Sequence, residues 1–98
     1  MAVSKEYLEK VRRALREIPD TDTDAEITDI IEECRHDLIL LGVLKEKAEN
    51  EKDPYILGPV RSFARWKYGL NNPEAEQNRD DYMQQRDELR KRVGYVSQ

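Results

Sequence analysis

An all-α fold, a small four-helix bundle with a long connection between its second and third helices, is what this sequence predicts, and three observations predict it. Apolar residues recur three and four positions apart in four separate stretches. Each stretch opens on a capping residue or a proline and ends at a proline, a glycine or a run of cations. No β-type alternation and no internal repeat occurs along the 98 residues.

The first helix is expected over about residues 4–18, with Leu8, Val11, Leu15 and Ile18 as its stripe, Ser4 as its cap and Pro19 as its end. Thr23-Asp24-Ala25-Glu26 reads as a capping box opening the second helix, over about 24–41. Its stripe is Ile27, Ile30, Ile31, Cys34, Leu38 and Leu41, so Cys34 points inward, and Gly42 is the stop. Leu38 to Leu44 is apolar on every side, more than one buried face requires, so its far side calls for a covering surface. Residues 45–52 read as a polar linker. Asp53-Pro54 then opens a third helix to about Tyr68, which either kinks at Gly58-Pro59 or begins there. Asn72-Pro73-Glu74 opens the last helix, over about 73–92, whose stripe of Ala75, Asn78, Tyr82, Gln85, Leu89 and Val93 is polar at two of its positions. A flexible tail is expected over 94–98.

Composition narrows the function. Charged residues make up 39% of the chain, and Leu, Ile, Val and Phe number only 22, so one domain with a thin core is expected, steadied by partner surfaces. Net charge is −4, and between Asp20 and Asp37 eight carboxylates meet only Arg35. Such a stretch repels phosphate. No apolar run approaches the ~20 residues that cross a bilayer, and residues 1–6 lack a signal-peptide stretch, so a chain made in the cytosol and not bound to membrane is expected. Cys34 stands alone, which excludes an internal disulfide and a cysteine metal knuckle.

The chemistry-bearing patterns are few. Asp20, Asp22 and Asp24 have the alternate spacing of a calcium loop, but Ala25 and Ile31 occupy the places of its glycine and its bidentate glutamate. A capping loop is the reading. His36 falls opposite the apolar stripe, with no second histidine or thiol to pair with, and the four glycines stand apart rather than forming a phosphate loop. No catalytic residue, metal site or cofactor is expected. Arg61-Ser62-Phe63-Ala64-Arg65-Trp66-Lys67-Tyr68 mixes bases with aromatics; helical geometry sends Val60, Phe63 and Ala64 to the core, Arg61 and Arg65 to one flank and Trp66 to the other.

At Asp53-Pro54-Tyr55-Ile56-Leu57, through Arg61 to Gly69, then Asn72-Pro73-Glu74-Ala75-Glu76, Asp81-Tyr82 and Leu89, the chain resembles the small head–tail connector proteins of tailed double-stranded DNA phages, often labelled DNA packaging proteins. The resemblance covers roughly residues 24 to 95; Gly58-Pro59 departs from it, standing where the family usually keeps helix formers. It implies a non-enzymatic adaptor in the virion, a homo-oligomeric ring, commonly a dodecamer, seated beneath the portal protein and joined below by a stopper or tail-completion protein. Genomic DNA would pass through the lumen without specific binding. On that reading Leu40, Val43, Trp66, Tyr82 and Leu89 are the expected subunit contacts, and Arg61, Arg65, Arg86, Arg90, Arg92 and Tyr95 the expected portal contacts. The alternatives are a small helical nucleic-acid-binding or regulatory protein using Arg61, Arg65 and Lys67 on the third helix, and a host-encoded helical interaction module.

Overall fold

Helix α1 covers Lys5–Ala14 in the computed structural model, which describes residues 2–69 and 71–96. The Ser4 hydroxyl caps it by accepting from the Tyr7 amide at 3.1 Å. The helix ends four residues before the expected Ile18. The amides of Arg16 and Glu17 donate back to the carbonyls of Arg13 and Arg12, at 3.0 and 3.2 Å, and Arg16 takes the left-handed conformation, at φ 58°. This is a helix stop of the kind usually built on glycine, built here on an arginine, and it leaves Ile18 77% exposed.

Helix α2 covers Thr21–Leu40. It starts three residues earlier than the Thr23 box implies, because Asp20 is the cap: its Oδ2 accepts from the Thr23 amide at 3.1 Å, while Glu26 lies exposed. At the other end the expected stop at Gly42 is present, with φ 103°. The Gly42 and Val43 amides both donate at 3.0 Å, to the carbonyls of Ile39 and Leu38. Val43 and Leu38 are both buried there, the apolar contact that accompanies such a cap.

The linker is not featureless. A one-turn helix α3, Lys45–Ala48, seats Ala48 in the core. Helix α4 then runs through Pro54–Lys67 in one piece, with Asp53 as cap, Pro54 in its first turn and Pro59 buried inside it. The helix therefore begins at Pro54 and continues past Gly58-Pro59. Leu70 lies outside the described residues, and α5 covers Ala75–Lys91. Asn72 organises its approach, accepting at Oδ1 from the Glu74 amide at 3.1 Å and donating to the Arg65 carbonyl.

The chain is all-helical, and its only pairing of β type among the described residues is one isolated bridge between Val43 and Val96. Helices α1, α2 and α4 each pack on the other two, α5 lies along α4, and α3 against α2. The core between them holds Tyr7, Val11, Ile27, Ile31, Cys34, Leu38, Ile56, Val60, Phe63, Ala64, Tyr82 and Leu89. Residues 94–96 are not a free tail: the Leu44 amide donates to the Tyr95 carbonyl at 2.8 Å, beside the Val43–Val96 bridge. The remainder of the expected tail, Ser97 and Gln98, lies outside the described residues.

Two glycines separate conformational need from accident. Gly42 requires a positive φ, whereas Gly58 lies within α4 and a Cβ there would meet nothing nearer than Gln85 Nε2 at 3.8 Å. Gly42→Ala is therefore expected to destabilise the fold by about 1 kcal/mol and Gly58→Ala to stabilise it by about 0.5–1 kcal/mol. Thermal unfolding followed by circular dichroism should show melting shifts of opposite sign, on the order of 4–8 °C per kcal/mol.

Candidate interaction surfaces

Before any residue can serve a partner, the fold's own buried polar groups must be satisfied. Arg35 is 3% exposed. Its guanidinium donates to Glu51 Oε2 at 3.0 Å and lies 5.4 Å from the centre of the Tyr7 ring. The same Glu51 oxygen accepts from the Ser4 amide at 3.0 Å, so one carboxylate holds the start of α1, the middle of α2 and the end of the linker. Burial alone would raise the Glu51 pKa, but the hydrogen bonds from Ser4 and Arg35 outweigh it and hold the carboxyl below its ordinary value of 4.5.

A second polar site joins α2 to α5. The Tyr82 hydroxyl, fully buried, donates to Asp37 Oδ2 at 2.6 Å, and Arg86 reaches the same oxygen at 3.4 Å. Phe63 stands edge-on to Tyr82, with ring centres 4.9 Å apart, and Trp66 edge-on to Phe63 at 5.5 Å. Burial pushes the Tyr82 hydroxyl and the Cys34 thiol above their ordinary ranges. Neither is poised as a nucleophile.

A third site fixes the end of the chain. Asp53 caps α4 through the Tyr55 amide at 2.9 Å and accepts from the Tyr95 hydroxyl with its other oxygen. That hydrogen bond, with some burial, raises the Tyr95 pKa. Arg92 stacks 3.7 Å above the Tyr55 ring.

These networks revise the expected contact residues. Val43, Tyr82 and Leu89 are 2%, 0% and 3% exposed, so they belong to the chain's own core and offer no subunit surface. Tyr82 reads as surface only if the last helix is a poor core face; its polar neighbours Asn78 and Gln85 are in fact half-buried beside it. Trp66 is half-buried on the aromatic cluster, with Lys67 Nζ 4.2 Å over its ring, rather than projecting as a free anchor. Leu40 alone of the five is open, at 84% exposed. Among the expected portal contacts, Arg86 is held by Asp37 and the Tyr95 hydroxyl by Asp53. Arg90 is exposed, at 4.0 Å from Asp87, and Arg92 keeps an exposed edge.

The basic segment of α4 divides. Lys67 turns toward α2, 3.6 Å from Glu33. Arg61 and Arg65 instead meet Lys10 and Arg13 of α1 across a groove floored by Ala14. Arg65 Nε donates to the Ala14 carbonyl at 3.4 Å, tying α4 to the end of α1. Lys10 and Arg13 were not among the sequence candidates; their three-residue spacing on one flank of α1 is the signal that could have drawn them in. From Ala14 and Arg65 a second depression runs past Leu15 and Arg16 to Tyr68, Asn72 and Asn78. Asp20 and Asp24, two of the aspartates with calcium-loop spacing, serve as the α2 cap and as the partner of Arg12 at 3.0 Å. No three metal-ligating side chains come together among the described residues, and no helix is long and apolar enough to cross a membrane.

No family model, no curated protein and no solved structure matches the chain.

Because the folded state holds Glu51 below 4.5, its contribution is present at neutral pH and is lost as pH falls through that lowered value. Glu51→Gln should therefore lower the melting temperature at pH 7 and flatten its decline below about pH 4.5 in an acid titration followed by circular dichroism. Tyr82→Phe removes the hydroxyl from Asp37 but keeps the ring, and should cost about 1–2 kcal/mol in urea unfolding with an unchanged slope.

Proposed function

We propose that this chain is a structural head–tail connector subunit of a tailed double-stranded DNA phage. It is a small four-helix bundle that assembles as a ring beneath the portal, completes the DNA-filled head and links it to the stopper or tail. The observation that carries the reading is the punctuation of the last two long helices: Asp53-Pro54 opening one, Tyr68-Gly69 closing it, Asn72-Pro73-Glu74-Ala75 opening the next, and Tyr82 and Leu89 along it. Supporting it is what that punctuation builds here. Asn72 clasps the Arg65 carbonyl while shaping the approach to α5, and Phe63, Trp66 and Tyr82 lock the two helices into one unit. The role demanded of such a subunit is mechanical rather than chemical, and a rigid helical pair with charged outer faces fits it.

Leu40, Arg65, Arg90 and Arg92 are the members of the expected contact set with open side chains, and the portal-facing surface is assigned to Arg90 and Arg92 at the end of α5. The nucleic-acid reading draws on the groove that collects Arg61 and Arg65 with Lys10 and Arg13, though without Lys67, and the net charge of −4 works against it.

Incubating the purified chain with DNA-filled, tailless heads and sedimenting the mixture on a gradient tests the connector reading. About one copy per portal subunit travelling with the heads is the expected result, as a ring that matches the portal requires. Heads that sediment without the chain would remove the reading, and steep salt-dependent duplex binding would put the nucleic-acid reading in its place.

A further inference from the structure

The outward face of α2 is a line of carboxylates. Asp22, Glu26, Asp29 and Glu33 follow at spacings of four, three and four, which stack them on one side of the helix, opposite the buried Ile31, Cys34 and Leu38. Glu33 has Lys67 at 3.6 Å; Asp22, Glu26 and Asp29 have no cation within 4.0 Å among the described residues. Leu40, five turns beyond Asp22, continues the same face.

The groove between α1 and α4 is the converse. Lys10, Arg61 and Arg65 have no carboxylate within 4.0 Å among the described residues, and Arg13 touches only Glu9, at 3.8 Å. Arg61 Nε is shut off from solvent with no hydrogen-bond partner. Four cations thus stand together, nearly unneutralised, on a chain whose net charge is negative.

The placement of the two surfaces matters more than their charge. Helices α1, α2 and α4 pack pairwise, and the inner side of the α1–α4 pair is filled by Val11, Val60 and Ala64. The basic groove must therefore open away from α2, while the carboxylate line faces outward from α2. One copy cannot bring its own two surfaces together. A two-fold contact through either would set like charge on like, whereas head-to-tail contact satisfies both.

We propose that the basic groove of Lys10, Arg13, Arg61 and Arg65 is the docking site for the α2 face of Asp22, Glu26 and Asp29 of a second copy of this chain. This deepens the ring reading and rests on it only for the closure of successive contacts into a ring. Arg61 and Arg65 then serve the neighbouring subunit rather than the portal. A second copy suits the groove better than a nucleic acid does: the chain's overall charge repels a polyanion, and four cations are fewer than duplex-binding proteins commonly use.

The test is a charge swap between two variants with exposed substitutions. Lys10→Glu/Arg13→Glu/Arg65→Glu makes the groove acidic, leaving Arg61 as its one cation, and Asp22→Lys/Glu26→Lys/Asp29→Lys makes the α2 face basic. In sedimentation velocity at low salt the wild-type chain should self-associate, with the association weakening as salt rises from about 0.05 to 0.5 M. Each variant alone should associate at least about tenfold more weakly, and an equimolar mixture should recover the wild-type behaviour, since each contact then joins opposite charges. Recovery also demonstrates that both variants are folded. Variants that associate as well as wild type, a mixture that stays monomeric, or a wild-type chain that stays monomeric while its groove binds duplex DNA would each overturn the proposal. Head sedimentation separates the two readings. Both variants loading separately onto heads in full copy number would remove this interface and leave the connector; charge-swap recovery with no loading of wild type would do the reverse.

Discussion

A buried guanidinium sets the terms for this fold. Arg35 stands in the middle of α2 with almost no solvent contact, and an isolated charge in that position would cost several kcal/mol. Its neutralisation by Glu51 draws the linker back onto α2, and the same carboxylate oxygen takes the Ser4 amide at the start of α1. Three segments far apart in sequence are thereby fixed by one group. In a core with so few large apolar residues, this pair does not add much net stability over an apolar substitute, but it penalises any arrangement in which the linker leaves α2. Its effect is to select one packing.

The other half of the molecule is organised around Tyr82. The ring fills space between α4 and α2, meeting Phe63 edge-on, while the hydroxyl finds Asp37. A phenylalanine would pack as well but would leave Asp37 to Arg86 alone, and a leucine would lose the edge-to-face contact. This explains how α5, polar along most of its length, holds its place. Its burial comes from two side chains, Tyr82 and Leu89, and from half-buried polar residues that use their stems against α4.

The helical class and the approximate span of each long helix were legible because apolar spacing and cap chemistry agree along most of the chain. The errors fall where one residue type does another's work. Arg16 ends α1 in a conformation expected of glycine, a stop that the sequence does not mark before Pro19. Asp20 outcompetes Thr23 as cap, since an aspartate at that position is at least as good an acceptor. The segment 45–52 reads as solvent linker by composition, yet Ala48 and Glu51 turn inward, a choice made by Arg35 rather than by anything local. Periodicity marks which residues share a face but not whether that face is covered by the chain itself, so Val43, Tyr82 and Leu89 looked available and are core. Nothing in the sequence joins Lys10 and Arg13 to Arg61 and Arg65, because the groove they complete exists only once α1 and α4 are side by side.

The separation of charge follows from the same packing. Core formation uses the apolar sides of α1, α2 and α4, and what each leaves outside is decided by its own sequence: carboxylates on α2, cations on α1 and α4. A monomer selected for solubility alone would gain from interspersing the signs, since like charges in a row repel one another on a single helix. Segregating them onto opposite sides costs the isolated chain something and returns nothing until another copy is present. That asymmetry is the physical reason to look for the chain's working state in an assembly rather than in the monomer.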